Sequence, residues 1–274
     1  MFRLPLAGLL AALLAVATAR AADMPPLPSD ITSQGVLRVG VKCDYPPAGF
    51  LDSKGQFSGL EVGMAKQLAQ FAFGSPDKAK LECVTAENRI PALLGHKIDI
   101  IIATLGVTPE RARVIDFSEP YRWGGGDILV PKDSKVQALA DLKGHKVVLL
   151  KGTTEEMWFT THMPDVELLK LNTVSDAMQA LKQGRADAYA HDDGVLAQLA
   201  AKNPELRELH TPYAVADTAV GLRKNEAALK AWVNAGLERM KQGGDYTKLI
   251  DQWVEPGLRW LYLDQFQKPK PTGA

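Results

Sequence analysis

The chain has 274 residues, with 32 basic residues set against 32 acidic ones. That length suits one large domain or two small ones, and a balanced charge with no basic stripe argues against nucleic acid as a partner. The five histidines are scattered and the two cysteines, Cys43 and Cys83, lie far apart, so no pair has metal-ligand spacing and no metal site is expected.

The opening stretch, MFRLPLAGLLAALLAVATARAAD, has one early cation, Arg3, an apolar run over residues 4–17, and the small-x-small triplet Ala19-Arg20-Ala21. This predicts a secretory signal peptide over residues 1–21, too short and too alanine-rich for a membrane anchor. Cleavage after Ala21 removes Arg3 and Arg20, leaving 30 basic residues against 32 acidic ones. No cysteine lies near the cleavage point to take a lipid, and no later segment reaches the ~18 apolar residues of a membrane span. The expectation is a soluble, exported protein. Export makes a Cys43–Cys83 disulfide possible, and the sequence leaves it open.

Strands and helices then alternate. VLRVGV (36–41) reads as a strand, DSKGQFSG as a hairpin, and LEVGMAKQLAQFAF as a helix ended by Gly74. KLECVT is a strand and RIPALLGH a short helix. KIDIIIAT is a strand with no polar face after Asp99, hence central in a sheet. The pattern restarts with strand GDILVPK, short helix VQALADL, strand KVVLL, helix TEEMWFTTH and strand VELLKL. Helix SDAMQALKQG, strand ADAYAH and helix DDGVLAQLAAK follow. TAVGLRK is extended, EAALKAWVNAGLERMKQGG is a long helix, and residues 245–254 form another. Such alternation predicts an α/β fold with right-handed crossovers.

Two places look alike. GHKID leads into a strand with Thr104 five residues after Asp99, and GRAD leads into a strand with Asp192 five residues after Asp187. Two lobes of similar build would enclose a cleft at the carboxyl ends of their strands, where ligands sit in open α/β sheets.

Several residues gather at that edge. Thr108 is placed as an N-cap, Pro109 as the first helical residue and Arg111 in the first turn. A cation there opposes the helix dipole, so it reads either as a bidentate anion receptor or as a surface ion pair with Glu110, Asp116 or Glu119. Gly152-Thr153-Thr154-Glu155-Glu156 reads as a capping box or as a second anion-facing helix start. Asp192 ends a strand and either takes an ammonium group or caps the next helix, a task that Asp193 suits equally. Tyr45 lids a ligand or packs in its loop. Lys42 and Arg89 either meet a second carboxylate or are solvated surface charges. No Gly-x-Ser-x-Gly, phosphate loop or dinucleotide fingerprint appears, so no catalytic residue and no cofactor is expected.

LRVGVKCDYPPAGF, KIDIIIATLGVTPERARVIDFSEPY, DLKGHKVVLLKGTTEE, LKQGRADAYAHDD and GGDYTKLIDQW, in this order, resemble the periplasmic solute-binding proteins of polar amino-acid ABC transporters, extracellular solute-binding family 3. The resemblance implies a periplasmic-binding-protein-like type II fold, α/β, with two lobes joined by a two-segment hinge near GGDILVPK and TAVGLRK. It implies lobe 1 at 34–125 plus 219–258, lobe 2 at 126–218, and a C-terminal tail at 259–274. By the resemblance, Arg111 grips the ligand α-carboxylate, with Thr104, Thr153 and Thr154 beside it. Asp192 takes the α-ammonium and Tyr45 covers the side chain. Where the family often has Ser or Thr two residues after Thr104, this chain has Gly106, which leaves a backbone N–H and removes a hydroxyl. Asn88 to Pro91 resembles the members that bind glutamate or aspartate, implying that Arg89 and Lys42 face a second carboxylate. The implied protein is a periplasmic monomer that passes a small amino acid to an inner-membrane ABC permease. The rival readings are a cyclohexadienyl or arogenate dehydratase-like enzyme on the same fold and a ligand-binding sensor component.

Overall fold

The computed structural model describes residues 24–271; the signal peptide expected at 1–21 lies outside them. Among the described residues no helix is long and apolar enough to cross a membrane.

The first half runs α1 (Ser29–Gln34), β1 (Leu37–Val41), β2 (Asp44–Tyr45), β3 (Gly49–Leu51), β4 (Phe57–Ser58), α2 (Leu60–Phe73), β5 (Ala79–Cys83), α3 (Arg89–Leu94), β6 (Ile100–Ile102) and α4 (Pro109–Val114). The long strand β7 (Asp116–Pro131) leads to β8 (Lys146–Leu150), α5 (Thr154–His162), β9 (Glu167–Leu171), α6 (Val174–Lys182), β10 (Ala188–Asp192), α7 (Asp193–Lys202) and β11 (Leu206–Glu208). The chain returns through β12 (Tyr213–Leu222) and closes with α8 (Ala227–Gln242), α9 (Asp245–Trp253) and α10 (Arg259–Gln267).

The strand order is β5-β1-β6-β12-β7-β10-β8-β9, with β11 paired to β7. β5, β1 and β6 are parallel, as are β10, β8 and β9. Between these triplets lie β7 and β12, antiparallel to each other, which carry the chain from one lobe to the other. The inner strands of each triplet, β1 and β6 and then β8 and β10, are buried on both faces, and alternate residues divide between two cores. Ile100 and Ile102 join the core formed with α2 and α8, whereas Ile101 faces the core under α3. In the second lobe Val147 and Leu149 face one core, and Val148 and Leu150 the other.

The similarity between GHKID and GRAD has a structural counterpart. Asp99 Oδ2 accepts the N–H of Arg38 at the start of β1 at 2.9 Å, and Asp187 Oδ2 accepts that of Lys146 at the start of β8 at 2.8 Å. Each aspartate also donates its own N–H back to the same residue's carbonyl at 2.8 Å. Each lobe thus pins its first strand to its third in the same way.

Some elements differ from expectation. GDILVPK is the second half of β7, which already begins at Asp116. Pro120 sits in that strand opposite Ala219, between register shifts that excuse its missing N–H. VQALADL yields only a 3-10 turn, Leu139–Leu142. The short elements α1 and β11 were not anticipated. Cys43 and Cys83 are bridged, with Cα atoms 5.5 Å apart, because β1 and β5 are neighbours. The aromatic tail packs back onto the body as α10.

Candidate functional site

The segments after β6 and β10 meet across the cleft. The lobes are closed on each other: the space left among Tyr45, Glu61, Arg122, Asp192, Tyr262 and Phe266 is about 10 Å³. That holds about one water molecule, so an amino-acid-sized ligand enters only when the lobes part.

Arg111 stands where the sequence placed it. Thr108 caps α4, its hydroxyl accepting the Arg111 N–H at 3.3 Å, and Pro109 occupies the first helical position. The surface ion pair considered for Arg111 is overturned: the residue is 6% exposed, and Asp116 pairs with Lys224 instead, at 3.0 Å. Its guanidinium donates to the Gly106 carbonyl at 2.6 Å and, across the cleft, to that of Gly152 at 2.9 Å. Burial, and then the nearby Arg89, lower its pKa to about 9, which keeps it charged at neutral pH.

Arg89 and Lys42 are not solvated surface charges. Arg89 donates to the carbonyls of Ala103 at 2.6 Å, Thr104 at 3.0 Å and Gly152 at 3.3 Å, while its Nε has no partner. Lys42 is 1% exposed; its Nζ has no hydrogen-bond partner and lies 5.0 Å from the Tyr45 ring centre. Burial, then Arg89, push the Lys42 pKa down to about 8.

The threonines are more committed than the sequence suggests. Thr104 directs both its N–H and its hydroxyl to Glu61, at 3.0 Å each. Thr153 caps α5: its hydroxyl donates to Leu150 O at 2.7 Å and accepts the Glu156 N–H at 3.3 Å. The Glu156 carboxylate reaches back to the Gly152 N–H at 2.7 Å rather than to Thr153. Thr154 is half-buried and donates to Glu155 at 3.2 Å. Gly152 has φ +74°, and a Cβ there would lie 2.7 Å from the Ala86 carbonyl, so only glycine allows this approach between lobes. A Cβ on Gly106 would lie 3.0 Å from Thr154 Cγ2 and 3.4 Å from Arg111 Nη1. The missing hydroxyl therefore has a steric counterpart in the closed cleft.

Asp192 accepts the Tyr45 hydroxyl, which also lies 3.1 Å from His191 Nδ1. Burial lowers the His191 pKa to about 4, leaving it neutral, and its Nδ1 lies 2.6 Å from the Asp192 N–H. Asp192 makes no side-chain cap of α7; Asp193 instead accepts the Gly194 N–H at 2.6 Å.

Three charged residues at this site were missed. Glu61 is 1% exposed and also accepts the Tyr121 hydroxyl at 2.6 Å. Glu155 has ligand-type oxygens within 4.8 Å of His191 and Asp192; burial first, then Asp192, raise its pKa. Glu61 and Glu155 are each the second residue of the helix after their lobe's first strand. Extending the repeat from Asp99/Asp187 to those helix starts is the signal that finds both. Arg122, from β7, lines the same space. Burial opposes its charge, but Asp192, Tyr121 and Glu61 together hold its pKa above the ordinary value.

Two α/β lobes joined by two crossing strands, closing over buried charges of both signs, have the build of a two-lobed solute-binding protein. The profile of the bacterial extracellular solute-binding proteins, family 3, matches residues 37–256, and the chain belongs to that family. It is 33% identical over 218 residues to the ABC transporter glutamine-binding protein GlnH of Bacillus subtilis, spanning 79% of this chain and 80% of the relative. It is 35% identical over 196 residues to the glutamine-binding protein of Geobacillus stearothermophilus, spanning 71% and 75%. Among solved structures, the solute receptor for L-cysteine of Neisseria gonorrhoeae matches with a TM-score of 0.81 at 34% identity, covering 84% of this chain and 94% of that chain.

Proposed function

We propose that this protein captures an amino acid in the periplasm, as a monomer exported by its signal peptide, and delivers it to an inner-membrane ABC permease. Lobe 1 comprises 34–125 and 219–258, and lobe 2 comprises 126–218. Arg111 binds the α-carboxylate with the start of α5, where Thr154 contributes its hydroxyl and the capped Thr153 its backbone. Asp192 binds the α-ammonium, Tyr45 covers the side chain, and Thr104 and Gly106 line the wall. Relatives named for glutamine binding and for ABC transport support this class of ligand.

One observation carries the choice of side chain. Among the described residues Lys42 Nζ and Arg89 Nε are buried donors with no acceptor, close to Arg111 and Asp192. A buried donor left unpaired costs about 1–3 kcal/mol, more when charged. A ligand side chain ending in a carboxylate relieves both, and a carboxamide relieves them in part. The ligand is therefore glutamate or aspartate, with glutamine next. Calorimetric titration of the mature protein against the common amino acids tests this. Tight binding of an acidic amino acid supports it, and binding of aliphatic amino acids alone refutes it.

A further inference from the structure

Helix α10 lies beyond the residues matched by the family profile, which ends at 256, yet it touches both lobes and the strands between them. On the first lobe, Phe266 packs on Tyr246 and Tyr121, with ring centres 5.3 and 5.9 Å apart. At the crossing strands, Arg122 donates to Gln265 Oε1 at 3.4 Å, Trp123 Nε1 donates to Lys268 O at 3.0 Å, and Lys270 pairs with Asp217 at 3.0 Å. On the second lobe, Gln265 Nε2 lies 3.0 Å from both carboxylate oxygens of Asp193. The tip of the Tyr262 ring approaches α7 so closely that a Cβ at Gly194 would meet its hydroxyl at 2.8 Å.

Gln265 is 1% exposed, and Tyr262 and Phe266 border the closed cleft together with Tyr45 and Asp192. A surface tail needs none of this. The amide of Gln265 divides its two ends between different bodies, with its oxygen on hinge residue Arg122 and its nitrogen on Asp193, the neighbour of Asp192. When the lobes part, α7 moves away from α10 and the Gln265–Asp193 contact breaks. Hydrogen bonds to a carboxylate are among the stronger neutral-to-charged contacts, so breaking this one biases the open–closed equilibrium.

We propose that α10 is an inter-lobe latch, with Gln265 as a positioning residue that holds Asp193, and through it the Asp192 side of the cleft, in the closed form. The latch sets the population of the closed state and hence the residence time of the ligand. The inference rests on the clamp reading above but not on the identity of the ligand.

A charge swap tests it in the full mature chain. Gln265→Glu sets a carboxylate against Asp193, and adding Asp193→Asn restores a donor–acceptor pair with its ends exchanged. Small-angle scattering of the ligand-free protein reads closure directly, and stopped-flow fluorescence with L-glutamate or L-glutamine reads release. The single variant is expected to be more open than the parent and to release ligand at least tenfold faster, and the double variant to recover in both assays. If Gln265→Glu lowers Tm but leaves scattering and release unchanged, or if the double variant does not recover, α10 is only packing and the proposal falls. If neither amino acid binds the parent while the scattering difference and its rescue persist, the latch stands and the ligand assignment falls alone.

Discussion

Replacing Lys42 with methionine should make the ligand-free protein more stable and a worse binder. Lys42 is held at 1% exposure with its Nζ unpartnered. The fall in its pKa from 10.5 to about 8 corresponds to ~3 kcal/mol against folding while the lysine is charged. Methionine has similar length and no charge, and it removes that penalty. It also removes the cation–π contact with Tyr45 at 5.0 Å, worth ~1 kcal/mol. The net gain is about 2 kcal/mol, which raises Tm by roughly 4–8 °C for a chain of this size.

The sign depends on pH in a defined way. Because the folded-state pKa lies below the unfolded one, the penalty is complete below about pH 8 and fades as pH rises to 10.5. The parent should therefore gain stability over that window, and Lys42→Met should gain less, keeping only the smaller rise that Arg111 contributes from about pH 9. Urea unfolding at pH 6.5 and pH 9 measures the difference, with calorimetry at pH 6.5 for the ligand. In the parent, affinity for an acidic amino acid should begin to fall as pH climbs past 8, whereas in the variant the fall should wait for Arg111 near pH 9 and for the ligand's own ammonium. If Lys42→Met is destabilised at pH 6.5 and binds glutamate as the parent does, the assignment of Lys42 to a ligand acid is wrong.

Other substitutions separate the remaining roles. Arg111→Ala should raise Kd for any α-amino acid by two to three orders of magnitude, in line with the ~2–5 kcal/mol of a truncated buried charge pair; full affinity would sink the carboxylate assignment. Gly106→Ser places a Cβ 3.0 Å from Thr154 Cγ2, so it should weaken binding several-fold, and adding Thr154→Ser should recover it. A hydroxyl that instead tightens binding in the single variant would show that the steric argument fails. Replacing both Cys43 and Cys83 with serine opens a 40-residue loop and should cost about 2–4 kcal/mol in urea unfolding. It should also weaken binding, because Lys42 and Tyr45 flank Cys43; unchanged affinity would detach the bridge from the site.

The alternation of strands and helices was legible because the lobes are built from local periodicities: the IDIIIAT strand, the Thr108–Pro109 helix start and the glycine-ended helices each follow from a few adjacent residues. The doubled Asp-x4-polar spacing even disclosed the likeness of the lobes. What stayed hidden depends on contacts between distant residues. Glu61 and Glu155 look like ordinary acidic residues in first turns, where the dipole favours them; only the closed cleft shows them to be buried beside Thr104 and Asp192. The reach of β7 was masked by Pro120, which reads as a strand breaker until the register shifts against β12 are seen. Gln265 carries no sequence signal at all, because its meaning lies in two partners 143 and 72 residues away.

In the proposed clamp, the same cleft groups would make ligand capture and closure one process. In the closed form, both arginines already share the Gly152 carbonyl, and Asp192 already takes the Tyr45 hydroxyl. Four cations, Lys42, Arg89, Arg111 and Arg122, share the cleft with four carboxyl groups, Glu61, Glu155, Asp192 and Asp193; no direct ion pair joins the two sets, but the opposite charges offset part of one another's burial. The α-amino and α-carboxylate groups of a ligand add one charge of each sign, and an acidic side chain adds one further negative charge for Lys42 and Arg89 to meet. In the proposed binding mode the ligand would replace a carbonyl with a carboxylate at Arg111 and a phenol with an ammonium at Asp192, and charge-assisted bonds are roughly twice as strong as neutral ones. Affinity is then the difference between two closed forms rather than the sum of the ligand's contacts. That difference grows when the side chain also brings an acceptor to Lys42 Nζ and Arg89 Nε, two cationic donors that closure alone leaves without one among the described residues.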